Sequence, residues 1–301
     1  MKELLKKLEQ ILNENQIKIN EPLDRHTTFR VGGPADLYLA PEETGLSAVM
    51  RILSEEKMPV TVIGNGSNLL IGDKGIRGAV VEIGRQMSEI FVDGEYVRAK
   101  AGAFLSNTAQ KAYQNGLSGL EFAAGIPGSV GGAIVMNAGA YGGEMKDIVD
   151  YVKVLSRNGE ILKLSNAQME FGYRNSCVLK NEYLVLEAAF KLKKSDPAEI
   201  GKKMDSLREQ RRSKQPLEYP SAGSTFKRPE GYFAGKLIMA AGLSGYTVGG
   251  AKVSEKHCGF VVNYKDASSA DILAVIRHVQ KTVKERFGVD LQTEVKMLGE
   301  F

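Results

Sequence analysis

The sequence predicts a mixed fold of helices and strands laid out in three units, and three observations carry that reading. Apolar residues switch repeatedly between helical spacing and strand-like runs along the chain. Turn dipeptides, Asp93-Gly94 and Asn158-Gly159, sit between paired strand-like segments. The length of 301 residues predicts two or three domains rather than one core. A hydrophobic share of 43% with 25% charged residues places the chain among ordinary globular proteins and excludes a disordered one.

In the first unit, Leu4, Leu5, Leu8, Ile11 and Leu12 of MKELLKKLEQILNEN follow helical spacing and predict an amphipathic surface helix. Acidic residues interrupt this stretch and no small-residue cleavage site follows it, so it is not read as a signal peptide. No apolar run is long enough to span a bilayer, and a cytoplasmic protein is expected. An extended segment over 21–41 crosses a Gly-Gly-Pro break and ends in a strand. EETGLSAVMRILSEEKM then reads as a helix, with Leu46, Val49, Met50 and Leu53 on one face and Glu42-Glu43 at its N-terminal end. PVTVIGNGSNLLIG gives a buried strand, a small-residue loop and a short second strand, and GAVVEI a further strand.

A second unit starts near Arg85. SEIFVDGEYVRAKAG is a hairpin, and FLSNTAQKAYQNG a helix closed by Gly116. The glycine-dense GLEFAAGIPGSVGGAIVMNAGAYGGEM follows, then a hairpin over YVKVLSRNGEILKLS and the strand YLVLEAAFKL. The basic helix from Pro197 to Lys214 reads as a connector. Its Lys202, Lys203, Arg208, Arg211, Arg212 and Lys214 are foremost a solvated face. A nucleic-acid surface lacks the interleaved aromatics it would need, and a helix end approaching a phosphorylated small molecule remains the other reading.

A third unit runs from Gln215. It holds the Ser224 loop, the strand CGFVVNY and a long helix on which Ile272, Val275, Ile276, Val279 and Val283 form one stripe. Ser269 and Asp271 suit the start of that helix and Gly288 its end. LQTEVKML closes the chain as a strand, with Leu291, Thr293, Val295 and Met297 on one face and Gln292, Glu294 and Lys296 on the other.

The net charge of +4 is mild. Cys177 and Cys258 have neither metal-ligand spacing nor a disulfide framework, and the default for each is a buried structural thiol. His26, His257 and His278 are widely spaced, so no metal site is legible. The unusual feature is 33 glycines, which cluster. Gly64-Asn65-Gly66-Ser67-Asn68, after a strand, can form an anion-binding concavity of backbone N–H groups. It is not a dinucleotide fingerprint, because the spacing fails and no helix follows. In AAGIPGSVGGAIVMNAGAYGG, Gly125, Gly128, Gly131, Gly132 and Gly139 leave backbone bare, for close packing or for a flat ring or pyrophosphate. YPSAGSTFKRP reads as a turn when taken alone. A nucleophilic Ser224 would need a base, and His257 is the nearest histidine in sequence.

These two clusters, with FGYR at 171–174, SAGSTFKRP at 221–229 and LQTEV at 291–295, together resemble the UDP-N-acetylenolpyruvoylglucosamine reductase family. The resemblance covers essentially the whole chain, with the motifs in family order. It implies an α+β fold of three domains, of which two form an FAD-binding module of the vanillyl-alcohol-oxidase (PCMH) type and the third binds substrate. The implied divisions are 1–84, to which a C-terminal strand over 289–301 returns, then 85–214, and a substrate domain over 215–288. The implied reaction is a step of peptidoglycan precursor synthesis. NADPH passes a hydride to FAD, the hydride goes on to C3 of UDP-N-acetylglucosamine enolpyruvate, and protonation at C2 yields UDP-N-acetylmuramate.

By the same resemblance FAD lies on Gly64, Asn65, Gly66, Ser67, Asn68 and Leu69 and on the loop of Gly125, Ile126, Pro127, Gly128, Ser129, Gly131, Gly132 and Ala133. Neither cluster contains His or Cys. That implies non-covalent FAD, and another PCMH-type flavoprotein, an oxidase with covalently attached flavin, is the alternative that retained colour after denaturation would favour. Ser224 is implied as the proton donor, Arg174 as the cation at the substrate carboxylate, and Glu294 as its companion in stabilising the enolate-like intermediate. A carbanion-like centre is a strong base, so a serine can quench it with no histidine beside it. Tyr173, Lys214 and Lys227 are implied substrate contacts. Arg228 stands where some members carry Asn. After FGYRNS the chain moves directly into CVLKNEYLVLEAAF, as in members without a tyrosine-bearing lid, so Tyr183 is given no such role. Small-molecule substrates, no nucleic acid, no membrane and a monomer complete the expectation.

Overall fold

Two sets of apolar residues separate along the chain, and each closes its own core. The computed structural model describes residues 1–301 as two compact units, each built from three stretches of chain. The first comprises 1–18, 37–65 and 79–211; the second comprises 19–36, 66–78 and 212–301. The architecture is α+β.

In the first unit the centre is a five-stranded antiparallel sheet. Its middle strand, Leu184–Lys191, pairs with Val149–Leu155 on one side and Tyr96–Lys100 on the other. Val185 to Phe190 are all buried, as a strand covered on both faces requires. The one charge among them, Glu187, is flanked by Lys153 at 3.0 Å and Lys100 at 3.4 Å. Both hairpins fall where the turn residues predict. Gly159 has φ 83°, and Gly94 has φ 59° at a tip one residue on, because Asp93 is still paired with Tyr96. The helix Leu105–Gln114 ends before Gly116 at φ 66°. Val60–Ile63 runs parallel to Ala79–Glu82, and the helix Glu43–Glu55 buries Leu46, Val49, Ile52 and Leu53.

The N-terminal helix is shorter than its apolar spacing predicts, spanning Lys2–Leu8. Asn13 explains the early end. Its backbone N–H donates to Gln16 Oε1 at 2.8 Å in a capping box that starts a new turn at Glu14–Gln16, and Gln16 donates on to the carbonyl of Ala40. Leu12 stays buried just beyond the helix, its N–H donating to Leu8 O at 2.8 Å.

In the second unit, the helix Ser269–Phe287 buries the predicted stripe and lies on a three-stranded antiparallel sheet. The N-cap is Ser268, one residue before the predicted start. Its hydroxyl accepts from Asp271 N at 3.0 Å, and the Asp271 carboxylate accepts from Ser268 N at 3.0 Å. Asp73, from a distant stretch, accepts from Ser269 N at 2.7 Å and Ala270 N at 2.9 Å. Gly288 closes the helix at φ 70°. The last strand is Lys296–Leu298, parallel to Leu69–Ile71. The predicted alternation holds from Leu291 to Val295 and then fails, with Met297 exposed. Residues 292–294 hydrogen-bond to 225–227, whereas 296–298 change partner to 69–71, so one face does not run through both. No helix is long and apolar enough to cross a membrane.

Asp73 satisfies two of the donors that a helix start leaves open, and places a carboxylate at the positive end of the helix dipole. Asp73→Ala is therefore expected to cost about 1–2 kcal/mol, as lost caps do, seen as a lower urea midpoint for the second unit by circular dichroism.

Candidate active site

Within the first unit the two glycine clusters meet. The Asn65 side chain donates to the carbonyl of Pro127. A Cβ on Gly64 would lie 2.5 Å from Ser129 Oγ, so a larger residue would push the loops apart. Ser129 caps the short helix Val130–Val135 by accepting from Gly132 N at 3.3 Å. Gly131 packs on Ala101, with a Cβ position 3.0 Å from that of Ala101 and its N–H donating to Ala101 O at 2.7 Å. In the second unit Gly66 has φ 60°, and a Cβ there would lie 1.9 Å from His26 O. Gly64, Gly66 and Gly131 are thus required by packing alone.

Gly132 is different. It is exposed, sits inside a helix, and a Cβ there would meet only Ser129 Oγ at an ordinary 3.4 Å. Glycine in a helix interior costs roughly 0.5–1 kcal/mol against alanine, and no internal contact requires it here. Gly125 is also exposed, and its bare backbone lies under the side chain of Arg211. Gly132 thus leaves uncovered backbone that an added Cβ would fill, which fits a flat or phosphorylated group.

The turn bearing Arg174 is fixed from below. Gly172 and Asn175 exchange backbone hydrogen bonds of 3.0 and 3.2 Å, leaving Tyr173 and Arg174 at the tip. Arg174 takes φ 54°, a left-handed conformation uncommon outside glycine. Its guanidinium donates to Gly139 O at 3.4 Å and lies 5.2 Å from the Tyr173 ring centre. Tyr173 itself is exposed. Beneath the turn Asn137 is fully buried. Its amide donates to Gly172 O at 3.0 Å and to Glu144 Oε2 at 2.9 Å, and its carbonyl accepts from Lys146 N at 2.9 Å. Ser176 adds a bond to Val135 O at 2.9 Å. The chain then enters a four-residue helix, Cys177–Lys180, and Tyr183 packs on the core.

In the second unit Ser224 is exposed between Gly223, at φ 73°, and a clamped segment. Thr225 is fully buried. Its N–H donates to Gly259 O at 2.9 Å, its hydroxyl accepts from Val261 N at 2.9 Å, and its carbonyl accepts from Glu294 N at 2.8 Å. Lys227 N donates to Gln292 O at 2.8 Å. The residue after Ser224 therefore pairs directly with Glu294, which brings two of the predicted site residues side by side. Asn68 joins them, its amide donating to Glu294 O at 3.1 Å and its carbonyl accepting from Lys296 N at 2.9 Å. Ser67 and Leu69 are half-buried beside it.

His257 is not a base for Ser224. Its Nδ1 accepts from Gly259 N at 3.2 Å, its ring packs edge-on to Phe260, and burial holds it below the usual imidazole range. Cys177 and Cys258 are both buried free thiols, as expected. Lys214 is exposed at the end of its helix. The residues that sequence reasoning missed are Asn137 and Gln215, whose Oε1 is buried with no hydrogen-bond partner. An orphaned acceptor beside Lys214 suits a ligand N–H. Neither has a local sequence signal, since both are defined by long-range burial.

The α+β architecture and the uncovered backbone at Gly132 fit a protein that binds a flavin nucleotide. Residues 35–165 match the family model described as FAD binding domain, and residues 215–298 match that of the UDP-N-acetylenolpyruvoylglucosamine reductase C-terminal domain. A reductase of that name from Agathobacter rectalis is 55% identical over 294 residues, covering 94% of each chain. The one from Caldanaerobacter subterraneus subsp. tengcongensis is 52% identical over 99% of this chain and 98% of its own. The crystal structure of UDP-N-acetylenolpyruvylglucosamine reductase (MurB) from Thermus caldophilus superposes with a TM-score of 0.81 at 34% identity, covering 94% of this chain and 99% of that one. The chain belongs to the UDP-N-acetylenolpyruvoylglucosamine reductase family.

Asn137→Ala would leave the Lys146 N–H without its acceptor and take one bond each from the Gly172 carbonyl, which keeps Asn175 N, and the Glu144 carboxylate, which keeps Lys146 Nζ. It should destabilise the first unit by about 1–3 kcal/mol, the usual cost of leaving buried groups unpaired, measured by chemical denaturation against the wild type.

Proposed function

We propose that this chain is an NADPH-dependent flavoenzyme that reduces UDP-N-acetylglucosamine enolpyruvate to UDP-N-acetylmuramate, a peptidoglycan precursor. The observation that carries the reading is the full-length identity of 55% to a reductase of that name. Gly64–Leu69 and Gly125–Ala133 would hold FAD without a covalent bond, within modules over 1–84 and 85–214, and residues 215–288 would hold substrate. FAD supplies the transfer of a hydride from NADPH to C3 of the enolpyruvyl group.

The chain's own residues manage the charge and the proton. Hydride at C3 leaves negative charge at C2 and in the carboxylate. Arg174 meets that carboxylate, because a guanidinium fork offers two parallel hydrogen bonds to it. Ser224 holds a proton over C2. Its hydroxyl is placed by the Thr225 clamp rather than by a hydrogen-bonded base, which suits a donor to a strongly basic carbon. Glu294, fixed through Thr225 O, acts with Arg174 in stabilising the enolate-like species. Tyr173, Lys214 and Lys227 contact the substrate. The enzyme works in the cytoplasm as a monomer on small molecules.

The test is anaerobic. Protein reduced by one equivalent of NADPH should bleach at the flavin band and regain it on addition of the enolpyruvyl substrate. Ser224→Ala should keep the bleaching and slow the recovery roughly a hundredfold to ten-thousandfold, the span of general acid catalysis. Normal recovery in that variant would remove Ser224 from the proton transfer. Gly132→Ala should leave the urea midpoint unchanged or raise it, yet weaken FAD binding about tenfold or more, since each 1.4 kcal/mol of lost contact is tenfold. Undiminished FAD affinity, by fluorescence titration, would show that cofactor does not approach this backbone.

A further inference from the structure

His257 stands in the turn between the strands Ala251–Val253 and Val261–Asn263 of the second unit. Its N–H donates to Ser254 Oγ at 3.3 Å and its carbonyl accepts from Phe260 N at 2.9 Å, so the turn is closed on both sides of it. The ring lies on bare backbone. A Cβ on Gly259 would stand 2.9 Å from its Cε1, and one on Gly235, in the helix Ala234–Ala240, 3.5 Å from the same atom. There the ring accepts a hydrogen bond at Nδ1 from Gly259 N, 3.2 Å away. A backbone N–H can only donate, so Nδ1 must be bare and the ring neutral, with its proton on Nε2. Gly259 has no side chain to restrain its backbone. Its carbonyl accepts from Thr225 N at 2.9 Å, and Val261 N, two residues on, donates to the Thr225 hydroxyl at 2.9 Å. Two of the three bonds that clamp Thr225 therefore run to the stretch that the imidazole anchors.

We propose that His257 is a positioning residue for the proton transfer, its neutral imidazole fixing Gly259, through it Thr225, and through Thr225 the hydroxyl of Ser224. This rests on the flavoenzyme reading above, in which Ser224 is the proton donor. A histidine that only fills space is replaceable by another ring of similar size. The anchor is not, because it needs an acceptor at one atom. It also needs that atom unprotonated. Acid that places a proton on Nδ1 sets two donors face to face and breaks the bond, so the anchor is present with the ring neutral and lost as pH falls. Burial disfavours the charged ring and holds its titration below the ordinary imidazole range, which keeps the anchor in place at neutral pH. The charged groups on the elements packed against it have other partners. Lys236, beside Gly235, lies 5.1 Å from the Phe233 ring centre, Glu255 lies 3.5 Å from Lys252, and Lys256 lies 3.7 Å from Glu218.

The test compares His257→Phe, which keeps a ring and removes the acceptor, with His257→Asn, whose side-chain oxygen can stand close to the place of Nδ1 and does not titrate. In the FAD-loaded full chain reduced by NADPH, the phenylalanine variant should keep wild-type flavin bleaching. It should recover about tenfold more slowly on the enolpyruvyl substrate, the scale of one lost hydrogen bond. Its Gly259 and Thr225 amides should exchange faster with deuterated solvent by NMR, a readout that needs no flavin. The asparagine variant should restore most of both, and its recovery rate should lack a decline that wild type shows as pH falls below the imidazole range. Wild-type recovery in the phenylalanine variant, or equal slowing of both half-reactions, would overturn the proposal. So would an asparagine variant as slow as the phenylalanine one, or a decline in acid that wild type and the asparagine variant share. If the phenylalanine variant fails to fold, the asparagine comparison across pH decides alone. Wild-type protein that takes up no FAD, or is not bleached by NADPH, would sink the flavoenzyme reading itself, whatever the amides show.

Discussion

The buried amide of Asn137 is the interaction on which the Arg174 turn of the first unit depends. It stands at the end of the glycine-rich helix and binds at once to the Arg174 turn, to Glu144 and to the backbone at Lys146. Because it is fully buried, every bond it makes is one that water cannot replace. Its own φ of 41° and that of Arg174 at 54° are both left-handed, so the amide holds two unfavourable backbone conformations together. Without that fastening, a two-residue tip carrying an arginine would be free to relax, and the guanidinium would lose its fixed address.

The glycines divide by cause. Gly64, Gly66 and Gly131 are glycines because neighbouring atoms leave no room for a Cβ, and that alone would explain them in a protein with no ligand. Gly132 has room and gains nothing from lacking a side chain within the fold. Composition shows only that glycine is abundant, whereas the contacts show which glycine a ligand has to account for. The cofactor reading is accordingly stronger at Gly132 than at the motif glycines that first draw the eye.

What the sequence made legible was local. The helix closures at Gly116 and Gly288, the hairpins and the buried stripe from Ile272 to Val283 follow from neighbours within a few residues, and they stand as read. The shortened first helix and the change of partner after Val295 are decided elsewhere. In the one case a capping box at Asn13 competes with an apolar pattern, and in the other two different strands claim adjacent residues. The assembly of each unit from three stretches is likewise a matter of pairs such as Asp73 with Ser269, which have no sequence period. Candidate site residues are nominated by family resemblance where motifs are contiguous. Asn137 and the orphaned Gln215 oxygen were not, because their significance is burial, a property of partners far along the chain.

The question posed by Ser224, a candidate proton donor with no base, resolves into a matter of backbone. A nucleophilic serine needs its proton removed, so its partner must be a side chain that can accept one. A proton donor to carbon needs its hydroxyl held in place while the acceptor is brought to it. Here the holding is done one residue away, by Thr225, which spends its N–H and hydroxyl on the 259–261 stretch and its carbonyl on Glu294. That leaves Ser224 itself exposed and uncommitted, between a left-handed glycine and a residue with no freedom. His257, the residue that hydrolase logic would recruit, is half-buried and engaged with Gly259. The arrangement suits the proposed role of Ser224, protonation of C2 once hydride has reached the neighbouring C3.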